Sequence, residues 1–155
     1  MSAARLKALH SLEKLQDLEA DEARAHLARC VQDEELIEAA IERIEKDIVS
    51  NKLFAFEGES DENRKLDLQR SYREWLPLAR RQIEEKNNAL QEAHRHTEMA
   101  REAMVKTNTA LEATGKLIKE INAELDMERQ RKEQADIDDI ARTTFIRRHL
   151  EQTFF

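Results

Sequence analysis

One long heptad run in the second half of the chain limits what it can fold into. From Tyr72, steps of four and three alternate through Leu76, Ala79, Ile83, Lys86, Leu90, Ala93, Thr97, Ala100, Met104, Thr107, Leu111, Thr114, Ile118, Ile121 and Leu125. All but Lys86 are apolar, small or Thr. A 4–3 repeat keeps one seam on one side of an α-helix, the pattern of a coiled-coil strand. The run covers roughly 54 residues, which at a rise of 1.5 Å makes a helix on the order of 80 Å long. Small seam residues (Ala79, Ala93, Thr97, Ala100) favour close helix approach over a thick core.

The first half carries a matching seam: Ala20, Ala23, Leu27, Cys30, Glu34, Ile37, Ile41, Ile44 and Ile48. Folding the chain back near Ser60 in an antiparallel register, with facing residue numbers adding to about 120, places a positions against d positions. Ile48 then meets Tyr72, Ile44 meets Leu76, Ile41 meets Ala79 and Ile37 meets Ile83. The two charged seam residues, Glu34 and Lys86, also fall opposite each other. A shift of one heptad would set both against apolar partners, so this pair is expected to specify the register. The expected fold class is all-α: an antiparallel coiled-coil hairpin of two long helices, the second overhanging at its C-terminal end.

Composition agrees with that reading. The 155 residues are 38% charged and 40% hydrophobic, with only two Gly and one Pro, as expected of a long helix with a narrow buried seam. That length fits a single domain, residues 1–155. The net charge of −7 argues against a general nucleic-acid binder, so no nucleic-acid partner is expected. No apolar run approaches the ~20 residues of a membrane span, so no direct membrane insertion is expected. The first fifteen residues lack the uninterrupted apolar core of a signal peptide. The single cysteine, Cys30, falls in the seam as a small buried hydrophobe, and its singleness fits a reducing compartment.

Helix one is expected over about residues 3–56, a turn over about 57–62 and helix two over about 63–150. Gly58 offers a left-handed cap for helix one, and Ser60 or Asp61 offers an N-cap for helix two. Pro77 lies inside helix two, where it either kinks the helix between Arg73 and Pro77 or marks its start after a short separate element. Leu6, Leu9, Leu12, Leu15 and Leu18 recur every third residue, a stripe that drifts around the helix. In the register above, Leu6 reaches Thr114, so helix two has no partner beyond about Ile118. That unpartnered stretch is highly charged from Glu128 to Glu133 and apolar again at Ile137, Ile140, Ala141, Phe145, Ile146 and Leu150. An amphipathic helix end without a partner invites one.

No catalytic, cofactor-binding or metal-binding constellation is visible. There is no phosphate-cradling glycine loop and no pair of cysteines. His94 and His96 stand two apart on different helix faces, so they do not form a helical metal pair. The pairs Glu92–His96 and His94–Glu98 have the spacing of ordinary exposed i,i+4 contacts. A non-enzymatic protein with no cofactor is expected.

Near the C-terminus, the segment from Met127 to Arg142 runs from a charged stretch into Ile137, Asp138, Asp139, Ile140 and Ala141. With Leu6-x-x-Leu9, Glu22-Ala23 and Leu27-Ala28 near the start, this resembles the FliJ/YscO family of type III secretion stalk proteins. The resemblance covers nearly the whole chain by length and architecture; Pro77 departs from it. It implies a cytoplasmic stalk, peripheral to the inner-membrane export apparatus of a flagellum or an injectisome. Its joined N- and C-terminal end would insert into the hexameric secretion ATPase, and its turn end would face the export gate protein. Export chaperones are further partners in that family. Carried over, the ATPase-facing residues are Leu6, Leu9, Ile137, Asp138, Asp139, Ile140, Ala141, Phe145 and Arg148. The gate-facing residues are Ile37, Ile41, Ile44, Ile48, Tyr72, Leu76, Ala79 and Ile83, which the seam also assigns to packing within the hairpin. Two other functions stay open: a coiled-coil scaffold or tether, and an escort chaperone for secreted subunits.

Overall fold

The computed structural model describes residues 2–59 and 61–154. The fold is an all-α hairpin of two long helices that pack against each other. Helix α1 spans Ser2–Glu57 and α2 spans Glu62–Phe154, with no strand among the described residues. α2 passes through Pro77 without interruption, so no separate element precedes it. Proline has no N–H to offer the Arg73 carbonyl. Pro77 and Arg73 are both exposed, so water can take that bond.

The turn is built differently at its two ends. Asp61 caps α2 as the spacing predicts: its Oδ1 accepts a hydrogen bond from the Arg64 backbone N–H at 2.9 Å, and its carbonyl accepts the Lys65 N–H at 3.0 Å. The alternative cap, Ser60, lies outside the described residues. Gly58 does not take the left-handed conformation expected of it, since no glycine has positive φ. Glycine is needed there for closeness instead: a Cβ would sit 2.6 Å from the Phe54 carbonyl oxygen.

Packing divides the chain into two units, Ala20–Thr107 and Met1–Glu19 with Asn108–Phe155. In Ala20–Thr107 the buried residues are Ala20, Cys30, Ala55, Ala79, Ala93, Thr97 and Ala100. Leu27, Ile37, Ile41, Ile44, Ile48, Tyr72, Leu76, Ile83 and Leu90 are half-buried beside them. All but Ala55 are seam positions that the 4–3 repeat predicts, whereas the predicted seam residue Lys86 is exposed. Small residues vanish into the contact while the larger ones keep an edge in solvent, as two helices without a third layer require. At the turn end the Phe56 and Tyr72 rings meet edge to face at 5.8 Å, and Tyr72 leans on Trp75 at 6.1 Å.

The register differs from the expected one by about a heptad. Phe56 meets Tyr72 and Glu34 meets His94, and each of these pairs adds to 128 rather than about 120. A heptad shift keeps a against d, so the apolar seam positions stay in the seam while their facing partners change, and Lys86 is left exposed. Ala79 thereby moves from Ile41 to Ile48.

In the second unit, residues 2–19 of α1 lie along 108–125 of α2. Ile118 and Ile121 are 7% and 8% exposed, Thr114 is buried, and Leu6, Leu9, Leu111 and Leu125 are half-buried. The Thr114 hydroxyl donates to Gln16 Oε1 and also lies 3.1 Å from the Ala110 carbonyl. Seam burial thus continues to Leu125, further than the expected end near Ile118, because the register shift carries Leu6 further along α2. Leu12, Leu15 and Leu18, by contrast, are 42%, 53% and 62% exposed, so the leucine stripe does leave the contact.

Candidate functional site

Two places in the hairpin gather chemistry: a polar layer inside the seam and the unpartnered end of α2.

The polar layer centres on Glu34, whose side chain is only 15% exposed. The expected partner, Lys86, is exposed and makes no ion pair with it. Glu34 instead takes two donors from α2. Its Oε1 lies 2.8 Å from His94 Nδ1, and the hydroxyl of Thr97, a residue only 2% exposed, also hydrogen-bonds it. Thr97 Oγ1 stands 3.0 Å from the Ala93 carbonyl as well, the usual back-bond of a helical Thr. The Thr97 hydrogen bond, ahead of the His94 bond and attraction from His94 and Arg101, holds the Glu34 carboxyl below the usual carboxylate range; partial burial opposes this. The signal that sequence reasoning missed was a Thr in the seam, read as a small residue rather than as a donor. Thr114 and Gln16 repeat the device, a seam Thr of α2 meeting a polar residue of α1.

Beside this layer runs a shallow surface groove of about 550 Å³, lined by Cys30, Ile37, Ala89 and Ala93 and rimmed by His26 and His96. Cys30 is 7% exposed, and its Sγ lies 3.8 Å from His26 Nε2. His96 and Glu92 form the ordinary i,i+4 contact expected, at 3.6 Å. Among the described residues no group of three His, Cys, Asp or Glu could hold a metal ion, and no helix is long and apolar enough to cross a membrane.

The end of α2 is the second place. Every residue from Asp126 to Thr153 is helical and exposed. Ile137, Ile140, Phe145, Ile146 and Leu150 are 58%, 67%, 71%, 51% and 51% exposed. Large apolar side chains at this exposure on consecutive helical turns are left largely uncovered by the chain's own packing. Phe145 stacks on His149 with ring centroids 6.3 Å apart and planes 4° from parallel. Gln134 Nε2 donates to Asp138 Oδ1 at 3.1 Å, and Thr143 and Thr144 back-bond to the Asp139 and Ile140 carbonyls.

The residues assigned to an ATPase contact therefore fall into two environments. Ile137, Asp138, Asp139, Ile140, Ala141, Phe145 and Arg148 lie on the free helix, whereas Leu6 and Leu9 are half-buried in the seam. The residues assigned to the export gate all stand in the seam. Ala79 is 1% exposed, while Ile37, Ile41, Ile44, Ile48, Tyr72, Leu76 and Ile83 are half-buried. The exposed large apolar groups near the turn are others: Val49, Leu53, Phe54, Phe56 and Leu66. Compared with family models, with curated proteins and with solved structures, the chain finds no match.

Proposed function

We propose that this chain is the stalk of a type III secretion export apparatus. Its free α2 end enters the central hole of a hexameric secretion ATPase, and its turn end approaches the membrane export gate. The observation that carries this reading is the exposed helical end of α2, from Asp126 to Thr153, with six large apolar residues on it. A lone helix is about 10–12 Å across with its side chains, narrow enough for a ring pore that a globular domain could not enter. Ile137, Ile140 and Phe145 offer the apolar contact; Asp138, Asp139, Arg142 and Arg148 offer charges for polar loops. Individual contacts are weak, since a stalk must not lock the ring in one state. The similarity of the segment from Met127 to Arg142 to the FliJ/YscO pattern supports the same assignment, and with it a cytoplasmic site beside the export machinery.

The test is a binding measurement with the purified hexameric ATPase. Deleting residues from Glu133 onward, or changing Ile140 and Phe145 to Asp, is expected to abolish ring binding and ATPase stimulation while the hairpin still unfolds at its normal temperature. A truncated chain that binds the ring at full affinity would remove the pore-insertion reading. The hairpin surface, and with it the escort or tether function, would then take its place.

A further inference from the structure

Charge along the free end of α2 is sorted into blocks. Glu133 to Asp139 holds four carboxylates (Glu133, Asp136, Asp138, Asp139) and no base. Arg142 to His149 holds three arginines (Arg142, Arg147, Arg148) and no acid. Ile140 and Ala141 separate them. Elsewhere some exposed charges pair with a neighbour on their own helix: Arg24–Asp21 at 3.0 Å, Arg101–Glu98 at 2.9 Å and Arg129–Asp126 at 2.8 Å. Among the described residues none of the seven block residues makes an ion pair, and Arg129 is the last residue of α2 that does. Each acid of the first block has a base three or four residues away (Arg129, Lys132 or Arg142), yet forms no ion pair with it. Ile137, Ile140, Phe145, Ile146 and Leu150 are more than half exposed over the same stretch.

We propose that residues 133–149 of two copies of this chain pair antiparallel about Ile140 and Ala141. In that arrangement the acidic block of each copy lies on the basic block of the other, twice over. A parallel pairing would set acid on acid and base on base. The exposed apolar residues supply the contact, and the charges choose its direction and register. Seventeen residues a side is below the 20–30 of a standard stable interface, so the dimer exchanges at about micromolar concentrations. It weakens with salt, because exposed charges are screened beyond about 8 Å at physiological ionic strength. The pair would cover the apolar residues of the free end whenever no other protein holds them. This inference does not depend on the ATPase reading: either can fail alone.

Sedimentation velocity on the full chain, from about 5 to 200 µM, tests it. Wild type is expected to shift from monomer to dimer over that range at low salt and to stay monomeric at 0.5 M NaCl. Reversing one block (Asp138→Arg with Asp139→Arg, or Arg147→Asp with Arg148→Asp) should weaken dimerisation at least tenfold. Reversing all seven charges in one chain (Glu133, Asp136, Asp138 and Asp139 to Arg, with Arg142, Arg147 and Arg148 to Asp) should restore it, since acid again meets base only in the antiparallel arrangement. Circular dichroism would confirm that each variant keeps its helices. A wild type monomeric throughout, a dimer indifferent to either single-block reversal, or a doubly reversed chain that stays monomeric would each overturn the proposal. A monomeric wild type would leave the face to a different protein.

Discussion

Glu34 shows how one polar side chain can sit in a coiled-coil seam. A carboxylate there loses water on burial and must recover its hydrogen bonds from the facing helix. The Thr97 hydroxyl and the His94 ring supply them, and the Glu34 carboxyl is held below its ordinary value of 4.5. Its folded-state pKa is therefore depressed relative to the unfolded chain. The stability it contributes is present above the unfolded value and is lost as pH falls through the folded one. Glu34→Gln should accordingly lower the urea midpoint at pH 7, and the gap to wild type should shrink on acidification below about 4.5. A gap of constant size across that range would show that the carboxylate charge contributes nothing here. Gly115 offers the opposite test. It lies in the helix interior, and a Cβ there would meet only the tip of the Glu13 side chain at 3.8 Å. Gly115→Ala should raise unfolding free energy by about 1 kcal/mol, the helix propensity difference, with no steric cost. Chemical denaturation reads this directly.

At the scale of the helices, Pro77 conflicts with its element more than Gly115 does. α2 carries it in mid-helix with its ring exposed, so the cost is a missing hydrogen bond to Arg73 and ring crowding rather than lost packing. Pro77→Ala should stabilise the hairpin by up to about 3 kcal/mol, since no seam contact is removed. An unchanged or lowered midpoint would mean that the proline makes a contact that the helix needs. Both helices and their seam faces were legible because the 4–3 repeat determines which side of a helix is buried, whatever it faces. Asp61 as a cap was legible for the same local reason. Register was not, because antiparallel seams one heptad apart are nearly alike in apolar content. The choice between them rested on Glu34 facing Lys86, two formal charges, whereas a Thr hydroxyl and a flanking His satisfy Glu34 in the register observed. Lys86 needs no partner, since a long aliphatic stem lets its ammonium remain in water. Of the candidate site, the free end was legible in outline from the imbalance of the two halves. Its starting point, after Leu125 rather than near Ile118, followed the register and shifted with it.

For the molecule as a whole, the decisive question is whether the seam is used within one chain or between two. Seam patterns alone do not answer it, because two identical chains could present the same a and d positions to each other. The turn does. α1 ends at Glu57 and α2 begins at Glu62, with Asp61 capping the new helix, so the chain reverses within a few residues. Glu34 and His94 then meet across that reversal at 2.8 Å. In a Cys30→Ser background, cysteines placed at Ile48 and Ala79 should cross-link rapidly within a monomer, because the observed register sets those positions face to face. Cysteines at Ile41 and Ala79 face each other only in the register a heptad away and should remain unlinked under the same mild oxidation, since a bridge requires Cα atoms within about 7 Å. Linking at Ile41 and Ala79 in place of Ile48 and Ala79 would return the hairpin to the Glu34–Lys86 register. Links found only between monomers would turn the seam into a dimer interface and favour the scaffold over the stalk. The intramolecular result leaves the seam satisfied within one chain, and the exposed apolar residues of the α2 end then remain for a partner.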